Sequence, residues 1–433
     1  MNIFAVTLGC KVNQYESQAI VEFLEESGYK AVDSRTKADI IILNSCTVTA
    51  RSDQKVRQTC SKLKRENPNA ILVLMGCMPQ AFPDKAKKIN EADIILGSFN
   101  KKYVLYAIKS FIENNNKIFN VYKNSESTEF ENLKVSNFFK RTRAFLKIED
   151  GCEQFCSYCI VPFARGKIRS KKIDDILSEA KKLSNSGYKE IVLTGINLSC
   201  YGKDCGVDLS DAIEAVCSIE GIERVKLSSL EPNIVTDKFL EKISSQTKLC
   251  PAFHLSMQSG CDRILKIMNR NYLSSEYSKI VEKLRKIFDN PSITTDILVG
   301  FPSETDKDFM ETKEFVRKMK FSKAHIFKYS RRPMTKSYEM KDDVDVKIKN
   351  KRSAEITEII EESAEKFIVE HLNKTASVLF ESSSKDGFAT GLSSNCIKVT
   401  VKSSRNICGK ILDVDLLSVK KEGNFFVARG SLR

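Results

Sequence analysis

The sequence predicts an α/β protein in three parts: an N-terminal doubly wound parallel sheet, a central partial (βα)6 barrel and a small C-terminal β-barrel. Three observations carry this. Apolar strand-like runs alternate with helical patterns over residues 1–113 and again from residue 144, which implies parallel sheets covered on both faces. Beyond residue 373 five short strand patterns follow one another without helices, as in small barrels of the oligonucleotide-binding kind. At 433 residues the chain is also too long for one ordinary core.

In residues 1–113, strands are expected at Ile3–Leu8, Ala38–Leu43, Ala70–Met75 and Asp93–Leu96. Helices are expected at Tyr15–Ser27, Ala50–Arg65, near Pro83–Ile89 and at Tyr103–Ile112. Sheets of this kind place their sites at the carboxyl ends of the strands. Cys10, Cys46 and Cys77 follow the first three strands, so they should converge on one rim. That suits a three-thiolate metal cluster; packed core cysteines are the bland alternative. Cys60 falls mid-helix and reads as packing. Residues 114–143 read as a linker, with Asn114-Asn115-Asn116, Ser125–Thr128 and Lys140-Arg141-Thr142-Arg143. The basic run is either a solvated surface or an RNA contact.

From residue 144 to 346 six βα units are expected, with strands at Phe145–Glu149, Glu190–Thr194, Arg224–Ser229, Phe253–Met257, Thr294–Val299 and Ala324–Tyr329. Helices at Asp174–Asn185, Ser274–Phe288 and Thr305–Met319 lie between them. Active groups belong at the strand C-terminal ends, where Thr194–Asn197, Ser228–Pro232, His254–Gly260 and Asp296–Pro302 fall. His254 reads as a core histidine before an acid–base one. Directly after the first of these strands come Cys152, Cys156 and Cys159, spaced C-x3-C-x2-C. Thiolates favour zinc or iron–sulfur centres. A structural zinc wants four closed ligands, and no fourth Cys or His is near in sequence. Three thiolates on a four-iron cube leave one iron free to bind something else. Cys200 and Cys205 have zinc-pair spacing, but no second pair accompanies them. Residues 347–372 read as one long charged connecting helix. Residues 373–433 form the last domain, with strands at Thr375–Phe380, Gly387–Thr390, Ile397–Lys402, Lys410–Val419 and Phe425–Ala428. Ten basic and five acidic residues from Lys374 onward make this a candidate RNA-docking face, an oligomerisation or lid module being the alternative.

The bulk composition agrees. With 42% hydrophobic and 29% charged residues, it is that of an ordinary soluble protein. No apolar run approaches a membrane span, and Met1-Asn2-Ile3-Phe4 runs straight into a strand pattern with no leader features. A cytoplasmic protein with no membrane partner is expected. Fourteen cysteines in such a compartment point to metal ligands rather than a disulfide framework. A net charge of +14 suits a polyanionic partner, tRNA or rRNA.

Taken together, Thr7–Ser17, Asn44–Thr49, Gly76–Gln80, Gly151–Gly166, Gly195–Asn197, His254–Arg270 and Thr295–Pro302 resemble the radical S-adenosylmethionine methylthiotransferases over nearly the whole chain. The resemblance implies a methylthiotransferase domain, a radical S-adenosylmethionine core and a C-terminal TRAM domain. It implies two 4Fe-4S clusters, an auxiliary one on Cys10, Cys46 and Cys77 and a radical-generating one on Cys152, Cys156 and Cys159. Tyr158, Gly195, Asn197, Ser229, Glu231 and Gln258 are the residues expected at the S-adenosylmethionine site. Two molecules of that cofactor would serve each turnover, one giving a methyl group to sulfur and one giving the 5′-deoxyadenosyl radical. The partners implied are tRNA and an electron donor such as flavodoxin or ferredoxin. Ser303, Cys261, Arg331 and Met334 depart from the family pattern, none of them at a ligand cysteine.

Thr7-Leu8-Gly9-Cys10-Lys11-Val12-Asn13-Gln14 resembles most the branch acting on N6-threonylcarbamoyladenosine at tRNA position 37. The isopentenyladenosine branch typically reads Tyr-Gly-Cys-Gln-Met-Asn there, and the branch acting on a ribosomal protein aspartate Leu-Gly-Cys-Pro-Lys-Asn. A threonylcarbamoyl group carries a carboxylate, and Arg331 and Arg332, just past the sixth barrel strand, are the cations expected near it. Those two branches, and a non-catalytic iron–sulfur RNA-binding redox sensor, are the alternatives.

Overall fold

The computed structural model describes all residues except 124–128, 139–140, 385 and 424. Ser125–Thr128 and Lys140 of the expected linker therefore lie outside the described residues. The N-terminal sheet comprises β1 (Asn2–Thr7), β2 (Lys30–Ala31), β3 (Ile40–Ser45), β4 (Ile71–Gly76), β5 (Ile94–Leu96) and β6 (Ile118–Asn120). Their order is β2-β1-β3-β4-β5-β6, every pair parallel. Because β3 and β4 are apolar at nearly every position, both faces must be covered. Helices α1 (Lys11–Glu26) and α5 (Tyr103–Asn114) cover one. The other carries α2 (Ala50–Glu66), α3 (Cys77–Ala81) and α4 (Pro83–Lys87).

The sequence pattern misses three features here. β2 and β6 are too short to show periodicity, and β6 falls inside the stretch expected as linker. Helix α1 begins at Lys11 rather than Tyr15, because Asn13 and Glu16 on its first turns are buried yet polar, which hides the apolar stripe. The strand order reverses between β1 and β3, and such a switch point opens a crevice at the carboxyl ends of the strands.

The central part runs through β7 (Ala144–Lys147), β8 (Glu149–Asp150), β9 (Arg169–Ser170), β10 (Glu190–Thr194), β11 (Arg224–Leu227), β12 (Ser229–Leu230), β13 (Ala252–Leu255), β14 (Ser292–Val299) and β15 (Lys323–Lys328). Parallel sheets β11-β10-β7 and β12-β13-β14-β15 form the two halves of an open arc. The expected strand Arg224–Ser229 breaks at Ser228, so that β11 pairs with β10 and β12 with β13. The first expected strand stops at Lys147, and β8 leaves it to pair antiparallel with β9. That departure aims the following cysteine loop away from the sheet. Helices α7 (Ile173–Asn185), α8 (Leu209–Cys217), α9 (Asp237–Ser244), α11 (Ser274–Ile287) and α12 (Asp306–Met319) pack on the arc, while α6 (Val161–Arg165) packs against α3 and α10 (Asp262–Ile267) joins a cluster with Phe301 and Tyr329.

Helix α13 (Val346–Val369) leads to a closed barrel of β16 (Thr375–Ser383), β17 (Phe388–Ser393), β18 (Lys398–Lys402), β19 (Ile411–Glu422) and β20 (Phe425–Leu432), in the order β16-β17-β18-β20-β19. It has its own core of Val378, Phe380, Val399, Val401, Val414 and Leu416. By contrast, one apolar cluster runs without a break from Ile3, Tyr15 and Leu24 into Phe145, Ile191 and Leu255. The N-terminal sheet and the central arc therefore share a core.

Candidate active site

Cys10, Cys46 and Cys77 stand at the ends of β1, β3 and β4, two of them flanking the switch-point crevice. Polar side chains tie the three rims together. Asn13 Nδ2 donates to the carbonyls of Leu8 and Ser45, both at 3.0 Å, and Ser45 Oγ donates to Met75 O at 2.7 Å. Gly9 (φ +122°) precedes Cys10, and a Cβ on it would lie 2.9 Å from Cys46 Cβ. Gly76 (φ +101°) precedes Cys77 in the same way, against Asn44 Oδ1 at 2.4 Å. Only glycine suits either position. Cys10 meets solvent at the floor of a cleft whose walls crowd it. Burial pushes the Cys77 thiol up to about 12 against the pull of Arg165, with Cys46 and Cys10 near enough to add like charge.

Cys152, Cys156 and Cys159 lie in the loop between β8 and α6. Gly151 (φ +97°) starts this loop, and a Cβ there would fall 1.9 Å from Lys167 O. Cys152 N bonds to Gly166 O at 3.0 Å, Cys159 N to Cys156 O at 2.9 Å and Ser157 N to Met268 O at 3.0 Å. Burial pushes Cys152 up to about 12 and raises Cys156 and Cys159 too, each with another thiol of the loop adding to the shift in Cys152 and Cys159. Thiols in such surroundings lose their protons when a metal replaces them. Among the described residues, no three Cys, His, Asp or Glu are close enough to share one ion. Each triad offers three thiolates, soft ligands of the kind that iron–sulfur clusters take.

Two arginines that lie in the quoted motif stretches, but were given no role there, attend the triads. Arg165, at the end of α6, donates from Nε to Cys77 Sγ at 3.2 Å. Its other nitrogens reach Glu16 at 2.6 Å and Asn13 Oδ1 at 2.8 Å. The helix that follows the second triad thereby reaches the first. Arg270 donates to Cys156 Sγ at 3.3 Å and pairs with Glu231. Burial would raise the Glu16 carboxyl, but Arg165, Lys101 and Lys147 together hold it below the usual carboxylate range. Lys147 bonds both Glu16 at 2.7 Å and Asp150 at 2.6 Å, so a buried ionic network joins α1 to the start of the cysteine loop.

The residues expected at the cofactor site differ in their surroundings. Asn197 Nδ2 reaches Cys152 Sγ at 3.7 Å, and its backbone N–H donates to Glu149 Oε2 at 2.8 Å. Gly195 abuts the same carboxylate, where a Cβ would lie 2.5 Å from Oε2, so Glu149 occupies the space that glycine opens. Glu149 Oε1 is buried without a partner among the described residues, and burial raises that carboxyl well above its usual value. Tyr158 packs edge-on against Phe301, centroids 6.4 Å apart. Gln258 takes φ +66° and bridges to β14 through its backbone. Asn197 and Glu231 line a side cleft of about 410 Å³. Gly195 and Ser229 line a larger cavity of about 910 Å³, shared with Cys10, Arg143, His254, Asp296 and Cys396. His254 Nε2 is 3.2 Å from Asp296 Oδ2 in that wall, so it faces the cavity as much as the core. Ser228 Oγ, also in the wall, is buried without a partner among the described residues. Such an orphan fits a polar ligand.

Arg331 and Arg332 are placed differently from each other. Arg332 is 2% exposed, donates to Asp53 Oδ2 at 2.7 Å and Thr47 Oγ1 at 2.9 Å, and stacks over Phe82. Its charge is already matched. Arg331 is exposed, over the Tyr338 ring and bonded to its carbonyl at 2.8 Å. Neither lines the large cavity.

Comparison with known proteins bears on the same residues. Residues 2–97 match the family described as uncharacterized protein family UPF0004, and residues 146–316 the radical SAM superfamily. A threonylcarbamoyladenosine tRNA methylthiotransferase, MtaB, of Bacillus subtilis is 35% identical over 97% of this chain and 95% of its own. Its namesake in Thermotoga maritima is 38% identical over 96% and 94%. A tRNA-2-methylthio-N(6)-dimethylallyladenosine synthase of Clostridium tetani is 37% identical over 97% and 95%. Among solved structures, the radical S-adenosylmethionine methyltransferase TsrM of Kitasatospora setae has a TM-score of 0.57 at 11% identity, over 78% of this chain and 76% of that one. That likeness is one of fold.

Proposed function

The chain belongs to the radical S-adenosylmethionine tRNA methylthiotransferases, and from that membership we propose that it adds a methylthio group to C2 of N6-threonylcarbamoyladenosine at position 37 of tRNA. Identity does not separate the substrates, at 38% against 37%. The observation that carries the choice is the charge of the large cavity. Lys11, Arg141, Arg143, Lys226, Lys323 and Lys398 line it, against Asp296 and Glu361. A dimethylallyl group wants an apolar wall, whereas a carboxylate wants cations.

When bound, two 4Fe-4S clusters and S-adenosylmethionine supply one-electron cleavage of the sulfonium and the methylated sulfur. Cys10, Cys46 and Cys77 are the proposed ligands of the auxiliary cluster, and Cys152, Cys156 and Cys159 those of the radical-generating one. Arg165 and Arg270, each donating to one sulfur, offset negative charge on the thiolates. Tyr158, Gly195, Asn197, Ser229, Glu231 and Gln258 are the residues proposed to bind S-adenosylmethionine. The shared core of sheet and arc holds the two triads at a fixed separation. The C-terminal barrel, read as a TRAM domain, docks tRNA. Flavodoxin or ferredoxin is the proposed electron donor. No helix among the described residues is long and apolar enough to cross a membrane, and a cytoplasmic site of action is part of the proposal.

Nucleosides of tRNA from cells with and without the gene test the substrate. The 2-methylthio threonylcarbamoyl nucleoside should vanish on deletion. If it persists while the dimethylallyl counterpart disappears, the assignment is wrong.

A further inference from the structure

Among the described residues, the large cavity has a cation beside Cys10 that forms no ion pair. Lys11 directly follows Cys10, opens α1 and lines the cavity beside Cys10 and Gln14. Its ammonium has no ion pair or hydrogen bond among the described residues. Most of the other cationic residues are engaged. Arg143 pairs with Glu381 at 2.6 Å and Lys226 with Glu190 at 3.1 Å. Arg141 lies over Phe145 and Lys323 over Phe425; Lys398 also has no ion pair among the described residues, but Lys11 is the one that adjoins Cys10.

The Lys11 side chain is exposed to this cavity, so its ammonium is open to a ligand that brings the opposite charge. The threonylcarbamoyl substituent carries one carboxylate, and the adenine ring is uncharged. We propose that Lys11 binds that carboxylate and sets the choice among N6-substituted adenosines. This rests on the substrate reading above and adds the residue that enforces it. Since Lys11 adjoins Cys10 in the chain, the same contact positions the base against the rim of the first triad. A four-carbon stem suits the task, because the ammonium can reach into the cavity while its backbone stays in the first turn of α1.

The test uses the anaerobically reconstituted holoenzyme and an anticodon stem-loop RNA bearing the threonylcarbamoyl group as free acid or as its neutral methyl ester. Wild type should prefer the acid. Lys11→Met should lose about tenfold to a hundredfold in kcat/KM on the acid, mainly through KM, and little on the ester. Lys11→Arg should recover part of the loss, and iron per chain should match wild type in both variants. Equal losses on acid and ester would mean that Lys11 meets an RNA phosphate or only holds the rim, and would overturn the proposal, as would no loss at all. A wild-type enzyme inactive on the acid but active on dimethylallyl RNA would overturn the substrate reading itself, a result told apart because it needs no variant.

Discussion

At the scale of single residues, the six cysteines were legible in the sequence and their chemical neighbours were not. Cys10, Cys46 and Cys77 each stand two or three residues past an apolar run, and Cys152, Cys156 and Cys159 cluster by spacing, so one-dimensional pattern suffices. Arg165 reaches Cys77 across 88 positions and Arg270 reaches Cys156 across 114. No local pattern encodes contacts made only when α6 and the loop after α10 fold back. Gly195 was named for the cofactor site, but Glu149, the group a side chain there would meet, was not. Gly151 offers the sharpest residue-level check, because backbone rather than a mobile side chain blocks a Cβ there. Gly151→Ala should lose the irons of the second triad and keep those of the first, read as roughly half of the wild-type iron per chain after anaerobic reconstitution. Full iron loading in that variant would show that the loop tolerates a shift of Lys167.

At the scale of elements, long runs such as β3, β4, α2 and α12 were legible because apolar period and burial coincide. The elements that build the site were less so. α1 hides its first turn behind the buried polar residues Asn13 and Glu16, and β8 leaves the arc after two residues to pair with β9. The segment after β15 was expected to offer Arg331 and Arg332 to the substrate. Arg332 instead clamps that segment to α2 through Asp53. Removing one partner of a buried pair strands the other, so Arg332→Ala should cost about 3–5 kcal/mol in chemical denaturation. Arg331→Ala should change stability by no more than about 0.5 kcal/mol. Unchanged stability in the Arg332 variant, with a raised KM for tRNA, would return Arg332 to the role of a substrate cation.

At the scale of the molecule, the three-part α/β plan was legible from alternation alone, whereas the way the parts seal one another was not. The C-terminal barrel was expected as an RNA-docking face, with an oligomerisation or lid module as the alternative. Arg224 Nη2 also bonds Ser377 Oγ at 2.8 Å, Lys226 Nζ reaches Ser393 O at 3.4 Å and Asn395 Nδ2 donates to Asn290 O at 3.2 Å. Leu392, Cys396 and Ile397 thereby wall the large cavity. A chain ending near Leu372 should keep both clusters, lose most tRNA affinity and open that cavity. In the full chain, affinity should fall steeply with salt, since basic contacts release counterions. Salt-independent binding, or full affinity in the shortened chain, would remove the barrel from docking. The central claim is that the two triads hold two clusters with separate tasks. Its most direct measurement is 5′-deoxyadenosine and methylthiolated RNA, followed together, in reconstituted wild type and two triple variants. Replacing Cys152, Cys156 and Cys159 with Ala should abolish both products. Replacing Cys10, Cys46 and Cys77 should leave 5′-deoxyadenosine and abolish methylthiolation; methylthiolated RNA from that second variant would contradict the account.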